Sequence, residues 1–303
     1  MRISKSTISL FLLPAVALYL CIFLYPTVRA LLMSFFEIPN IASRMSEWKF
    51  IGFENYWQLL HNTYFIGSSW NVFKIWLFGG IVVLFFAFLF AAILASGVRG
   101  KSFWRSLVYL PNIVSPVVLT VVWLHYIFNS TYGFLTKTFR FLGLNGLADL
   151  QWTSDDHLFL SMLIAYCFGS IGYFMLLLNA GMERIPHDYY EAALLEGAGP
   201  LTKFFSITLP LLQDVFRMAL VLWTITAINF FVWSATFGQE SPETMTPGYY
   251  MYIKVFGSST TVYQEDSFNV GAGATVGVII TVSILVLSAV INLFFRRKER
   301  LEY

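Results

Sequence analysis

Six long apolar runs alternate with shorter polar stretches along the chain, covering about Ile8–Tyr25, Val72–Ala95, Ser106–Phe128, Leu158–Met182, Pro210–Thr236 and Val270–Phe295. Several exceed the roughly 20 apolar residues needed to cross the hydrocarbon core of a bilayer. A segment at that depth must satisfy its own backbone, which favours helices. The pattern therefore predicts an all-α integral membrane protein of about six transmembrane helices, forming one transmembrane domain over residues 1–303. Arg2 and Lys5 precede the first run in the manner of a signal peptide, but the apolar region is long and no small-residue cleavage site follows it, so a retained helix is expected. Pro14 and Pro26 sit inside that run or at its end, where a bundle can take up the freed carbonyls. The fourth run carries Ser161, Gly169, Ser170, Gly172 and Gly181, small residues that let helices approach closely. Pro210 suits the first turn of the fifth span, where a missing N–H costs nothing.

The polar stretches between the runs divide into two kinds. Segments 32–69, 129–156 and 237–268 are long and mixed, whereas 183–209 is a compact insert. Within the insert, Glu191-Ala192-Ala193-Leu194-Leu195 favours a helix, which Gly197, Gly199 and Pro200 stop. The helix is expected around Tyr189–Leu195, with Ala192 and Ala193 leaving a flat, small surface. Gly197 lets the chain reverse without a Cβ clash.

Composition agrees with the pattern. Hydrophobic residues make up 57% of the 303, charged residues only 12%, and mean hydropathy is +0.68. Soluble chains carry roughly a quarter charged residues. The net charge of +2 and the absence of a basic tract outside the membrane flanks argue against nucleic acid as a partner. Cys21 and Cys167 fall within apolar runs, without spacing for a disulfide or metal site, and should pack as small hydrophobes.

Charge also sets orientation. Six spans place both termini on one side, and Arg2, Lys5, Arg99, Lys101, Arg105, Arg184, Lys203, Arg296, Arg297, Lys298 and Arg300 all fall on it. The other side carries a thinner scatter mixed with acids. The excess of basic residues predicts cytoplasmic termini and a cytoplasmic 183–209 loop, with the three longer segments extracytoplasmic.

Several apparent motifs dissolve on context. Ala95 followed after four residues by Gly100-Lys101-Ser102 fits a loose phosphate-binding loop, but it joins two membrane helices with no strand before it. A basic turn at the lipid headgroups, with Arg99, Lys101 and Arg105, is the simpler expectation. Asp155 and Asp156 are adjacent on a loop, with no further ligands nearby, and read as a solvated turn. Gly271-Ala272-Gly273 with Gly277 lacks the strand of a dinucleotide fingerprint and reads as close helix packing. Asp214 and Arg217, one turn apart, read as a local ion pair.

The insert carries a longer pattern. Glu191-Ala192-Ala193, Gly197, Ile207 and Leu209-Pro210 resemble, at every fixed position and spacing, the EAA loop of the membrane subunits of binding-protein-dependent ABC importers. Glu196 stands where many members carry Asp. Gly52-Phe53-Glu54-Asn55-Tyr56 and the Tyr109-Leu110-Pro111 to Ser115-Pro116-Val117-Val118 run resemble the carbohydrate-uptake branch, of maltose, multiple-sugar and glycerol-phosphate type. The resemblance implies the type I permease fold, a bacterial cytoplasmic membrane, and a coupling helix at 189–195 seated in a separate dimeric ABC ATPase. It further implies a second, similar permease, an extracytoplasmic solute-binding protein and a carbohydrate cargo, expected to be an oligosaccharide. No cofactor is expected on this chain, ATP being bound by the partner, and no enzyme activity of its own.

For the substrate path, cavity-facing polar and aromatic residues within the spans are the natural candidates: Trp123, Tyr126, Tyr173, Asn179, Trp223, Thr226 and Asn229. Trp223, Thr226 and Asn229 follow one another at intervals of three, which suggests a shared face; Trp and Tyr also belt membrane interfaces. His125 is expected to be packed. An ion-driven secondary transporter is the competing class. It calls for acidic or histidine relays in the spans and two inverted repeats, and neither is evident. An intramembrane enzyme would need paired catalytic groups at membrane depth, and none is evident.

Overall fold

The computed structural model describes residues 5–238, 240–257 and 268–296. Among them, four helices are long and apolar enough to cross a membrane: Phe11–Met33, Thr63–Ala95, Asp155–Met182 and Val270–Phe295. Two bent helix pairs bring the number to six if each is one span. Expected helical content and span number therefore agree with the structure, apart from a two-residue antiparallel ladder that pairs Phe36 with Phe50 and Glu37 with Lys49. Two compact units divide these residues, one within 5–66 and 250–282, the other within 67–249 and 283–296.

In the first unit, the opening helix runs past the expected end at Tyr25. A single π turn, Leu20–Leu24, precedes Pro26, and the Thr27 hydroxyl donates to the Phe23 carbonyl at 2.7 Å, so the helix continues through Tyr25–Met33. Cys21 lies exposed on it, contrary to the packed position expected. The Gly52–Tyr56 signature has a structural purpose. Gly52 adopts φ +61°, and buried Asn55 donates to the carbonyls of Ser34 and Phe36, both at 2.9 Å. Asn55 also accepts from Asn269 at 3.1 Å, and Asn269 in turn accepts from the Ile38 and Ala272 N–H groups. Thr275 donates to the Ser34 carbonyl at 3.1 Å. These bonds fasten the segment after the first span to the start of the last. Gly271 permits that approach, since a Cβ there would collide with the Phe36 carbonyl. Close packing, not dinucleotide binding, explains the Gly271–Gly277 run.

The helix after this segment begins at Thr63, not near Val72, so the polar segment is nearer 34–62 than 32–69. In the second unit, Asp155–Met182 is the central helix. Met162, Ala165, Met175 and Leu178 are fully buried on it, against Ile75, Val83, Ala87 and Ala91 of the span Thr63–Ala95. A Cβ at Gly172 would lie 2.5 Å from the Val108 carbonyl oxygen and 2.7 Å from Tyr109 Cα; at Gly181 it would meet Leu212 and Val215 at 2.8 Å. Asp155 and Asp156 occupy the first turn of this helix, where a helix N-terminus favours negative charge. They are exposed, but they do not form the separate turn expected. No metal-holding cluster occurs among the described residues.

Two expected straight spans are broken. The third consists of Lys101–Ile113 and Pro116–Ile127, bent by 95°. Pro116 pushes Ser115 into an extended conformation (ψ 136°), and Val114 is extended as well. The fifth consists of Pro200–Leu211 and Gln213–Ile228, bent by 66°, so the helix starts at Pro200 and Pro210 lies inside it. It ends at Ile228 instead of Thr236; a separate short helix, Val232–Phe237, follows. His125 is exposed at the widened turn Trp123–Ile127, not packed as expected. Beyond Phe237, Glu240 is buried with φ +71°, while Glu243 is exposed. Glu265 and Asp266 lie outside the described residues, as do Arg2, Arg297, Lys298 and Arg300.

Replacing Gly172 by Val should destabilise the protein by roughly 1–3 kcal/mol, because its neighbours there are backbone atoms that cannot turn aside. Thermal unfolding of the detergent-solubilised chain measures this, with Gly146→Ala, which meets nothing within 4 Å, as the near-neutral comparison.

Candidate functional site

The 183–209 insert folds into a helix, His187–Leu195, that ends in a left-handed turn. Gly197 has φ +79°; its N–H donates to the Leu194 carbonyl at 3.0 Å, and the Ala198 N–H donates to the Ala193 carbonyl at 2.9 Å. This paired arrangement satisfies two end carbonyls, and it requires a residue that tolerates positive φ. A Cβ at Gly197 would meet no atom within 4 Å, so conformation and not space restricts the position. Glu191 and Ala192 are exposed and Ala193 is half-buried. Leu194 and Leu195 stand out at 64% and 91% exposure, and Leu201 and Phe205 beyond the turn at 74% and 60%. Exposed apolar side chains of this size leave surface open to contact. Ile207 is half-buried, while Leu209 and Pro210 are exposed on the resumed helix.

The helix is tied to the second unit at two points. The Tyr190 hydroxyl hydrogen-bonds the Thr208 hydroxyl at 2.9 Å. Just before it, Glu183 pairs with Lys101 at 2.6 Å and accepts from Asn179 at 2.9 Å. Lys101 therefore meets a carboxylate, where the sequence suggested a lipid headgroup. These two donors hold the Glu183 carboxyl below its ordinary pKa, with Arg105 adding a lesser pull. Asp214 and Arg217 form the expected local ion pair at 3.2 Å.

A second site lies where the third span breaks and the fifth span ends. A cavity of about 450 Å³ opens between Val114–Pro116 and Asn229–Val232, and it is walled by Tyr166, Ser170, Tyr173 and Trp233. Of the candidate path residues, Tyr173, Thr226 and Asn229 line it. Trp223 is buried elsewhere: its indole N–H donates to the Trp76 carbonyl at 2.8 Å, while the Trp76 indole donates to Thr224 at 3.0 Å. At 3.6 residues per turn, two steps of three swing about 120° around the axis, so Trp223 and Asn229 cannot share a face. Trp123 packs in the core against Phe128 and Phe168. Tyr126 is 64% exposed and does not line the cavity. Asn179 is fully buried beside Glu183. Tyr166, Ser170 and Trp233 were not among the seven candidates; the third-span break and the end of the fifth span bring them together with Thr226. Ser115-Pro116 is the local signal of the third-span break.

Residues 84–300 match the family described as "Binding-protein-dependent transport system inner membrane component". The chain is similar to the sn-glycerol-3-phosphate transport system permease protein UgpA of Escherichia coli O157:H7, with 30% identity over 248 residues, 80% of this chain and 81% of the relative. UgpA of Salmonella typhi is 28% identical over 295 residues, covering 95% of this chain and 93% of that protein. Among solved structures, a chain of a bacterial ABC transporter involved in import of the acidic polysaccharide alginate superposes with a TM-score of 0.75 at 20% identity, over 97% of this chain and 96% of that one. A second structure of a bacterial alginate ABC transporter, in complex with an alginate pentasaccharide-bound periplasmic protein, gives 0.74 at 21%, over 97% and 95%. At these identities the structural likeness speaks for the fold.

Glu183 should contribute stability that is whole above the ordinary carboxyl pKa of about 4.3 and is lost as pH falls through its lower folded value. Glu183→Gln should remove that acid-side dependence. At neutral pH it should cost no more than about 1 kcal/mol, since both partners are partly exposed. Melting temperatures of the two proteins across the acidic range test the sign.

Proposed function

This chain belongs to the family of binding-protein-dependent transport system inner membrane components, and from that premise we propose a division of labour between its two sites. The chain is the membrane-spanning permease subunit of an ABC importer. We infer that its cargo is a carbohydrate or a comparably hydroxylated solute, delivered by an extracytoplasmic binding protein. The relatives named for glycerol 3-phosphate and the structural neighbours named for alginate support that cargo class. So does a cavity that joins aromatic faces (Tyr166, Tyr173, Trp233) to hydroxyl and amide groups (Ser170, Thr226, Asn229).

The observation that carries the mechanism is the exposed helix His187–Leu195 with its capped turn at Gly197. It would seat on a separate dimeric ATPase, Glu191 meeting a basic or N–H-rich edge, Ala192 allowing close approach, and Leu194 and Leu195 burying their exposed surface. Movement of that partner would press on the helix and reach the resumed span through Tyr190–Thr208. The bent span Pro200–Ile228 leads from there to Thr226 and Asn229 at the cavity. Cytoplasmic termini and a second permease chain belong to the same reading, the former from the distribution of basic residues.

Glu191→Lys and Gly197→Asp should leave membrane insertion intact and reduce ATP-driven uptake about tenfold or more, the effect of losing at least roughly 1.4 kcal/mol at the contact. Uptake and solute-stimulated ATP hydrolysis by the reconstituted complex decide. Wild-type coupling in both variants would remove the coupling role from this helix, and uptake that follows an ion gradient without ATP would remove the importer reading.

A further inference from the structure

The second unit carries two further cavities that the transport reading does not use, and they join. One is an apolar groove of about 900 Å³ along the span Thr63–Ala95 and the bent fifth span. Leu77, Gly80, Leu84, Phe88, Ala92 and Ser96 form its floor at helical spacing, over roughly 30 Å at 1.5 Å per residue. Its polar atoms are already engaged, because the Trp76 and Trp223 indole N–H groups bond to Thr224 and to the Trp76 carbonyl. The other is a hollow of about 490 Å³ at the end of the groove, beside the His187–Leu195 helix. Lys101, Lys203, His187, Tyr190 and Thr208 line it, together with Glu183, whose carboxylate is bound by Lys101 and Asn179. The two cavities share Ala92, Ser96, Pro200 and Phe204.

An apolar channel that ends in a basic, hydroxyl-lined hollow has the form of an amphiphile site. We propose that it holds a glycerophospholipid with an anionic headgroup, its phosphate at Lys203 and its acyl chain along the groove between Phe88 and Trp223. Charge complementarity selects this occupant. Lys203 is half-buried at the rim and supplies a cation that Glu183, already doubly bonded, does not neutralise. A neighbouring protein helix fits less well: close helix packing in membranes uses small residues, whereas Phe85, Phe88, Phe204, Phe205 and Phe216 wall this groove. A lipid here would lie beside the Tyr190–Thr208 hydrogen bond and the His187–Leu195 helix.

The test is lipid retention by the complete transporter complex, purified in neutral detergent with phosphatidylglycerol and phosphatidylcholine at equal mole fraction and read by native mass spectrometry. Phosphatidylglycerol should be retained preferentially. Lys203→Gln, a change at a partly exposed side chain, should lower its retention about fivefold, the worth of one basic residue at an anionic lipid. Ala92→Trp, which fills the wall shared by both cavities, should lower retention of either lipid. Equal retention of the two lipids, or no effect of Lys203→Gln, overturns the proposal. Full displacement by inorganic phosphate would make the hollow a free-anion site, and absence of bound lipid in the intact complex would give the groove to a protein neighbour; each overturns it too. Retention is measured without nucleotide, binding protein or solute, so this result and that of the transport test stand apart.

Discussion

A backbone carbonyl at membrane depth has no water to bond to, and the whole second unit is arranged around that shortage. An unbroken helix solves it locally. The third and fifth spans break instead, and polar side chains bond backbone carbonyls around the interruptions. Thr246 donates to the Phe230 carbonyl, just past the end of the fifth span, at 2.6 Å, and Asn112, just before the third-span break, donates to the Gly169 carbonyl of the unbroken central helix at 3.2 Å. Thr120 donates to Pro116 and hydrogen-bonds Thr236 at 3.0 Å. Asn71 donates to the carbonyls of Pro242 and Met245, which holds the strap 240–246 against the second span. Irregular backbone is tolerated in a membrane where it lines a cavity or is buried in protein, and the polar cavity lies between the break of the third span and the end of the fifth.

Close approach is the second requirement, and it depends on residues that lack a side chain at the contact. Gly172 admits the backbone of Lys101–Ile113, and Gly181 admits Leu212 and Val215 at the bend of the fifth span. Gly79 and Gly80 lie under the Trp223 ring, where a Cβ on Gly80 would come within 2.6 Å of the indole nitrogen. The central helix therefore touches each broken span beside its bend. A shift of either piece of the fifth span must displace groups packed against these glycines, which gives the packing a small number of discrete arrangements instead of a continuous range.

The EAA turn shows how local and distant requirements meet in one segment. Its chain reversal is local: Gly197 adopts a positive φ, and the Leu194 and Ala193 carbonyls find their donors three and five residues on. Its position is not local, because it rests on Tyr190 reaching Thr208 and on Glu183 reaching Lys101 across 82 residues. The exposure of Leu194 and Leu195 follows from neither requirement.

The sequence by itself determined what depends on neighbours along the chain. Hydrophobic run length established a helical, multi-span protein, and Gly and Pro positions marked the end of the 187–195 helix. The spacing of Glu191, Ala192, Ala193, Gly197, Ile207, Leu209 and Pro210 identified the loop type. What only tertiary structure decided is where helices bend and what faces what. Apolar runs through Pro116 and Pro210 read as unbroken, since hydropathy measures the wish to leave water and carries no record of direction. Trp223, Thr226 and Asn229 looked like one face, yet Trp223 is locked onto Trp76 and the other two open to the cavity. The Trp223 assignment rests on a hydrogen bond to a residue 147 positions away, and no local pattern encodes it.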